Sequence, residues 1–245
     1  MADRRPPASA AVLLLHGGGE TGLTPPPAGP LNLAALRMRP FARSLARATR
    51  DGPVDVRVHE VRYGHRGWNG SRADPLHDAV RALDDVQGEF GGIPVVLVGH
   101  SMGARAALRA AGHPLVRGVV GLAPWCPPDE PVSQLAGRDV VLLHSTRDRV
   151  TSPEASRSFA TRARRAGARS CLVTIRASDH AMLRRARVWH TATTGLVTAL
   201  LGLSALPAAV DAALRLPPSA PAADGTVDYD RLRRAAGEAP AGTRP

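Results

Sequence analysis

The sequence predicts an α/β fold, a mostly parallel sheet of six strands that is flanked by helices. Short apolar runs typical of buried strands alternate along the chain with segments of helical periodicity. Several of the apolar runs are followed directly by polar motifs, at the position where parallel strands carry functional loops. The length of 245 residues suits one domain with a sizeable core.

The elements are assigned from these patterns in chain order. Strands are expected at 10–16, 54–61, 93–98, 116–122, 139–144 and 171–176, and helices at 32–50, 75–88, 102–111, 153–166 and 182–203. Asp74 and Ser152 each precede a proline, which is a common way to begin a helix. Within 76–86, apolar residues recur at helical spacing and predict one buried helix face.

The composition along the chain indicates the domain boundaries. From residue 217 onward, proline, alanine, glycine and charged residues dominate. We therefore expect an N-terminal extension at 1–9, one domain at 10–216 and a disordered tail at 217–245, with at most a short helix near 229–236.

The most informative motif is Gly-His-Ser-Met-Gly at residues 99–103, between a predicted strand and a predicted helix. Glycines two residues before and after Ser101 leave room for a sharp turn, which exposes the serine hydroxyl at the edge of the sheet. The same turn directs the backbone N–H of Met102 toward the place where an oxyanion would form. The motif predicts Ser101 as a nucleophile.

A serine hydroxyl needs a base, and the base needs an orienting acid. Asp148 follows the predicted strand 139–144, and His180 follows the predicted strand 171–176. Both side chains are therefore expected at the same sheet edge as Ser101. In folds that place the serine on such a strand-to-helix turn, the order along the chain is serine, acid, histidine.

A second oxyanion donor is expected from the loop after the first strand. Residues 16–19 read His-Gly-Gly-Gly, and such small residues allow the backbone to approach a substrate closely. We assign the donor to the N–H of Gly18, with Gly19 as the nearest competitor.

Taken together, the motifs at 16–19, 99–103, 145–148 and 179–180 resemble those of the α/β-hydrolase superfamily over about residues 10–203. The resemblance implies the α/β-hydrolase fold without its two opening strands, since the first strand already precedes the oxyanion loop. It also implies no cap domain, because the segment 123–138 is short and rich in proline.

Some members of the superfamily place the acid on the loop after the strand that corresponds to 116–122. Asp129 and Glu130 lie on that loop and are the rival acids. Without a cap, loops at 19–30, 63–73 and 124–131 would roof the site. Trp68 and Trp125 on these loops either line a substrate pocket or pack as structural anchors.

Residues 17–22 also match the dinucleotide fingerprint G-x-G-x-x-G. That motif requires a helix to begin in the glycine run, and the prolines at 25–27 and 30 forbid one. We therefore expect no nucleotide, no other cofactor and no metal.

The charge balance does not indicate a nucleic-acid partner. All 32 basic residues are arginine and the net charge is +11, but the arginines are scattered and accompany no nucleic-acid motif. The cysteines Cys126 and Cys171 are expected to be free thiols. An apolar run at 193–216 fits a packed helix better than a membrane span, and cleavage of a signal peptide would destroy the first strand, so a cytoplasmic location is expected.

These observations favour a serine hydrolase that acts on a small-molecule carboxylic ester or thioester through a Ser-His-Asp triad. An editing-type thioesterase is the alternative within the enzymes. A non-catalytic binding protein of the same fold is the alternative outside them.

Overall fold

The computed structural model describes residues 8–237. Within these residues the sheet has seven parallel strands, one more than expected. The strand order is β2-β1-β3-β4-β5-β6-β7. The strands are β1 (Ala10–Leu15), β2 (Val56–Glu60), β3 (Val95–His100), β4 (Val116–Leu122), β5 (Asp139–Ser145), β6 (Arg169–Ile175) and β7 (Thr226–Asp228). The six predicted strands are confirmed, because buried parallel strands read as continuous apolar runs.

Helices cover both faces of the sheet. They are α1 (Leu33–Thr49), α2 (Asp74–Phe90), α3 (Met102–Ala110), α4 (Pro153–Arg165), α5 (Ala186–Leu200), α6 (Ala208–Leu214) and α7 (Tyr229–Gly237). Alternate residues of β1 point to opposite faces: Leu13 belongs to the core cluster that includes residues of α2, α3 and α4, whereas Leu14 belongs to the cluster that includes residues of α1, α5 and α6. The fold is therefore a three-layer α/β arrangement.

The predicted helix at 182–203 begins later than expected, at Ala186. The carboxylate of Asp179 accepts the N–H groups of Leu183 and Arg184 and holds this stretch as a turn. The turn keeps the loop after β6 at the carboxyl edge of the sheet.

The expectation of a disordered tail is wrong for residues 217–228, whereas the short helix expected near 229–236 is present as α7. This segment adds β7 to the edge of β6, where the N–H of Leu172 donates to the carbonyl oxygen of Gly225 at 2.9 Å. Arg164, which is buried, donates to the carbonyl oxygen of Ala220 at 2.8 Å. Because a three-residue strand is stabilised by its partner edge, its composition alone gave no signal. Residues 1–7 of the predicted N-terminal extension and residues 238–245 lie outside the described residues.

The segment between β4 and β5 contains one short 3-10 turn, Ser133–Leu135, so no cap domain is inserted there. Among the described residues, no helix combines the length and the apolar character that a bilayer crossing requires. The carboxyl edge of the sheet is covered by loops alone, and these loops carry the motifs singled out from the sequence.

Candidate active site

The turn between β3 and α3 holds Ser101 in a strained conformation. Its backbone angles are φ 54° and ψ −115°, in a region that side-chain-bearing residues rarely adopt. A Cβ at Gly99 would lie 2.5 Å from Cα of Ala104, so only glycine fits beside the turn. Met102 begins α3, and its N–H therefore has no acceptor within the helix. The strain and the free N–H are the features predicted from the sequence for a nucleophile turn.

Asp148 and His180 meet above the ends of β5 and β6. Nδ1 of His180 donates to Oδ2 of Asp148 at 2.8 Å, and the aspartate side chain is fully buried. The N–H groups of Val150 and Thr151 donate to Oδ1 at 2.8 and 3.0 Å. Burial acts to raise the pKa of Asp148, but the hydrogen bonds from His144, His180 and the two amides outweigh it and hold that pKa well below its ordinary value.

A second imidazole, missed by the sequence analysis, contacts the same carboxylate. His144 ends the apolar run of β5 and is fully buried, with Nε2 3.2 Å from Oδ2 of Asp148. Since a carboxylate accepts, Nε2–H of His144 is the donor, and Nδ1 then accepts from Oγ of Ser156 at 2.7 Å. A histidine in an otherwise apolar buried strand, four residues before the acid, was the available signal.

His100 joins the turn at Ser101 to the loop that carries His180. Its Nε2–H donates to the carbonyl oxygen of His180 at 2.9 Å, and the two rings lie 4.9 Å apart. Burial, with a smaller contribution from the neighbouring imidazole of His180, lowers the pKa of His100 to about 3, so the ring stays neutral. In the described part of the chain, the hydroxyl of Ser101 forms no hydrogen bond of its own. Such contacts often tighten only when a substrate binds.

The glycine loop at residues 17–19, which the sequence predicts to hold an oxyanion donor, lies against the turn at Ser101. The N–H of Gly19 donates to the carbonyl oxygen of Arg66 at 3.1 Å, so it is engaged. The N–H of Gly18 has no such acceptor among residues 8–237. A Cβ at Gly18 would lie 2.7 Å from Sδ of Met102, which shows how closely the two segments approach. Of the two donors considered, Gly18 is the one left free.

The rival acids lie elsewhere. Glu130 is buried and pairs with Arg105 at 2.6 Å, while Asp129 is exposed. Neither carboxylate contacts a histidine in the region that the structure covers. The carboxylate at His180 is therefore that of Asp148.

Comparison with known proteins places the chain in a family. A model of the alpha/beta hydrolase family matches residues 12–241. The chain belongs to the alpha/beta hydrolase family. No curated protein matches the sequence.

Solved structures with this hydrolase fold are similar over most of their length. Est1E from Butyrivibrio proteoclasticus is 13% identical, with a TM-score of 0.58 over 82% of this chain and 91% of that one. A thermophilic esterase of Thermogutta terrifontis, Est2, is 17% identical, with a TM-score of 0.56 over 83% and 86%. An alpha-beta serine hydrolase homologue of Coxiella burnetii is 17% identical, with a TM-score of 0.52 over 77% and 85%. At these identities the likeness establishes the fold alone.

The two tryptophans of this hydrolase pack against one arginine. The guanidinium of Arg105 lies 4.0 Å from the ring centre of Trp68 and 4.4 Å from that of Trp125. Trp68 is 3% exposed and leaves little surface for a ligand. The backbone N–H of Trp125 donates to the carbonyl oxygen of Ser101 at 3.2 Å. This packing corresponds to the structural-anchor interpretation, because a guanidinium between two rings fixes both of them.

Two clefts open at the same sheet edge. One, of about 380 Å³, is lined by the oxyanion loop and by Leu31 and Leu33. The other, of about 390 Å³, lies between the first half of α1 and the residues after His180, and Leu33 lines it too. The two clefts are thus neighbours that share one leucine.

Proposed function

We propose that the protein is a serine hydrolase that cleaves a carboxylic ester or thioester through an acyl-enzyme on Ser101. The observation that carries the proposal is the 2.8 Å hydrogen bond between His180 and the buried carboxylate of Asp148, at the sheet edge that bears the strained Ser101 turn. A nucleophile, a base and an orienting acid are the three groups that this chemistry needs.

The reaction follows from the roles of these groups. Because Nδ1–H of His180 is held by Asp148, Nε2 is the basic nitrogen and takes the proton of the Ser101 hydroxyl as its oxygen attacks the carbonyl carbon. The N–H groups of Met102 and Gly18 stabilise the oxyanion. His180 then protonates the leaving alcohol or thiol, and water hydrolyses the acyl-enzyme by the same route in reverse.

His144 acts in this proposal as a positioning residue. It donates to Oδ2 of Asp148, the same oxygen that His180 contacts, and is itself oriented by Ser156. The carboxylate is therefore held by two imidazoles and two amides, so that His180 meets an acceptor fixed in place. Pre-positioned acceptors of this kind lower the cost of forming the imidazolium.

The test compares two serine variants in the hydrolysis of p-nitrophenyl butyrate and of a butyryl thioester. Ser101→Ala should lower kcat by roughly 10³-fold or more, because the members of such a triad act as a unit. Ser158→Ala, on the exposed face of α4, is the matched control and should leave kcat unchanged. A Ser101→Ala protein that retains activity within tenfold would overturn the proposal.

A further inference from the structure

The cleft between α1 and the residues after His180, called here the α1 cleft, has mostly apolar walls. Its volume is about 390 Å³. Leu33, Leu36, Phe41, Met182 and Leu183 contribute the apolar part of the lining. Leu33 and Leu183 are 69% and 71% exposed, so the walls of the cleft are open to solvent. Such a surface favours an apolar ligand group.

Large exposed apolar side chains concentrate around this site. Those of the described residues are Leu23, Leu31, Leu33, Val150 and Leu183. Three of them lie within residues 23–33, which lead from the loop after β1 to the first residue of α1, one lies on the loop after β5 and one on the loop after β6. Because exposed apolar residues elsewhere on the described surface are smaller, the mouth of the site is its most apolar region.

Arg37 brings a charge into the α1 cleft without a counterion. It lies on the second turn of α1, lines the cleft and is half-buried. In the part of the chain that the structure describes, it has neither a carboxylate partner nor a hydrogen-bond acceptor. Arg185, by contrast, is paired with Asp230. The other titratable group in the lining is His190, whose pKa is lowered by burial, so it adds no charge at neutral pH.

Arg37 shares the α1 cleft with Ala181 and Met182, the two residues that directly follow His180. Its charge acts on the ring of His100, the residue directly before Ser101, and that ring is hydrogen-bonded to the backbone of His180. A ligand group in the α1 cleft would therefore lie beside His180, the residue proposed as the base. A guanidinium in partly apolar surroundings gains most from a bidentate anionic partner, and its single charge matches a single carboxylate.

We propose that the α1 cleft is a substrate subsite for an aliphatic acyl chain that ends in a carboxylate, with Arg37 binding that carboxylate. This inference rests on the proposed serine hydrolysis and narrows its substrate class to half-esters or half-thioesters of aliphatic dicarboxylic acids. The apolar walls bind the methylene chain, and Arg37 selects the acidic end over a neutral methyl group.

The first experiment measures selectivity. We would compare kcat/KM for mono-p-nitrophenyl esters of aliphatic dicarboxylic acids of graded length with kcat/KM for neutral p-nitrophenyl esters of the same chain length. Arg37→Met keeps the apolar stem and should lower the ratio of half-ester to neutral ester roughly ten- to hundredfold. Arg43→Met, an exposed arginine of the same helix, should leave the ratio unchanged. A ratio that Arg37→Met does not alter would overturn the subsite.

The second experiment separates the subsite from the chemistry. Titration calorimetry with octanoate and octanamide needs no hydrolysis, and wild type should bind octanoate at least tenfold more tightly than Arg37→Met does, with no such difference for octanamide. If octanoate binding depends on Arg37 but no ester is cleaved, the subsite stands and the proposed function fails. If neutral esters are cleaved but octanoate binds both proteins equally or not at all, the proposed function stands and the subsite is overturned.

Discussion

Gly103, at the start of α3, gives the sharpest test of how the fold holds the site together. A Cβ at this position would lie 2.6 Å from the carbonyl carbon of Leu15, and still closer to the carbonyl oxygens of Leu15 and His16. Carbon atoms pack at about 3.5 Å, so Gly103→Ala must separate the end of β1 from α3 by about 1 Å. Overpacking against backbone on one side costs about 3 kcal/mol, at the upper end of the usual range.

The helix propensity of alanine offsets part of this cost. Alanine gains about 1 kcal/mol over glycine in a helix, which leaves a net loss of about 2 kcal/mol in the free energy of unfolding. For a chain of this size, about 2–4 °C of Tm corresponds to 1 kcal/mol, so Tm should fall by about 4–8 °C. The kcat for ester hydrolysis should fall as well, because the shift moves Gly18 away from Met102.

The matched control is Gly88→Ala in α2. A Cβ at Gly88 meets no atom within 4 Å, so only the gain in helix propensity remains. That gain of about 0.5–1 kcal/mol should raise Tm by about 1–4 °C. Both melting temperatures are read from circular dichroism at 222 nm. A Gly103→Ala protein that melts at or above the wild-type temperature would refute the close contact between β1 and α3.

Three further predictions concern the acid, the thiols and the C-terminal segment. Asp148→Asn should lower kcat by roughly 10²–10⁴-fold, because His180 loses the acceptor that fixes its tautomer. Asp129→Asn should leave kcat unchanged. The reverse pattern would assign the acid to the loop after β4. Burial raises the pKa of the Cys126 and Cys171 thiols to about 12, so the native protein should resist iodoacetamide at pH 8. Mass spectrometry should find two labels on the denatured protein. Rapid labelling of the native protein would contradict this prediction. Truncation before Pro217 removes β7 and several hydrogen bonds that contribute about 1 kcal/mol each. Tm should therefore fall by several degrees. An unchanged Tm would show that this segment contributes no stability.

The sequence was sufficient to predict the elements whose residue pattern is local. Parallel strands buried on both faces read as apolar runs, and the turn at Ser101 requires glycines at fixed positions. The three-residue β7 has no such signal, because its hydrogen bonds come from the edge of β6. Proline and alanine around it suggested a tail, although buried contacts of Arg164 hold that segment in place.

The geometry of the site depends on contacts between loops that are distant in the sequence, so it could not be predicted in full from the sequence. Asp129, Glu130 and Asp148 all follow strands that end at the same sheet edge, and only the three-dimensional structure shows which carboxylate reaches His180. The same holds for Arg37, whose place on a helix was predictable but whose approach to His100 depends on how α1 packs across the sheet.

The central claim is that Ser101 is a nucleophile activated by His180, and a fluorophosphonate probe tests it most directly. The serine oxygen attacks phosphorus and fluoride leaves, so an activated serine is marked by a stable covalent bond. Intact-mass and peptide mass spectrometry should find one adduct per wild-type chain, on Ser101, with labelling lost in Ser101→Ala and slowed by roughly 10³-fold or more in His180→Ala. An unlabelled wild-type protein, or an adduct on another residue, would contradict the account.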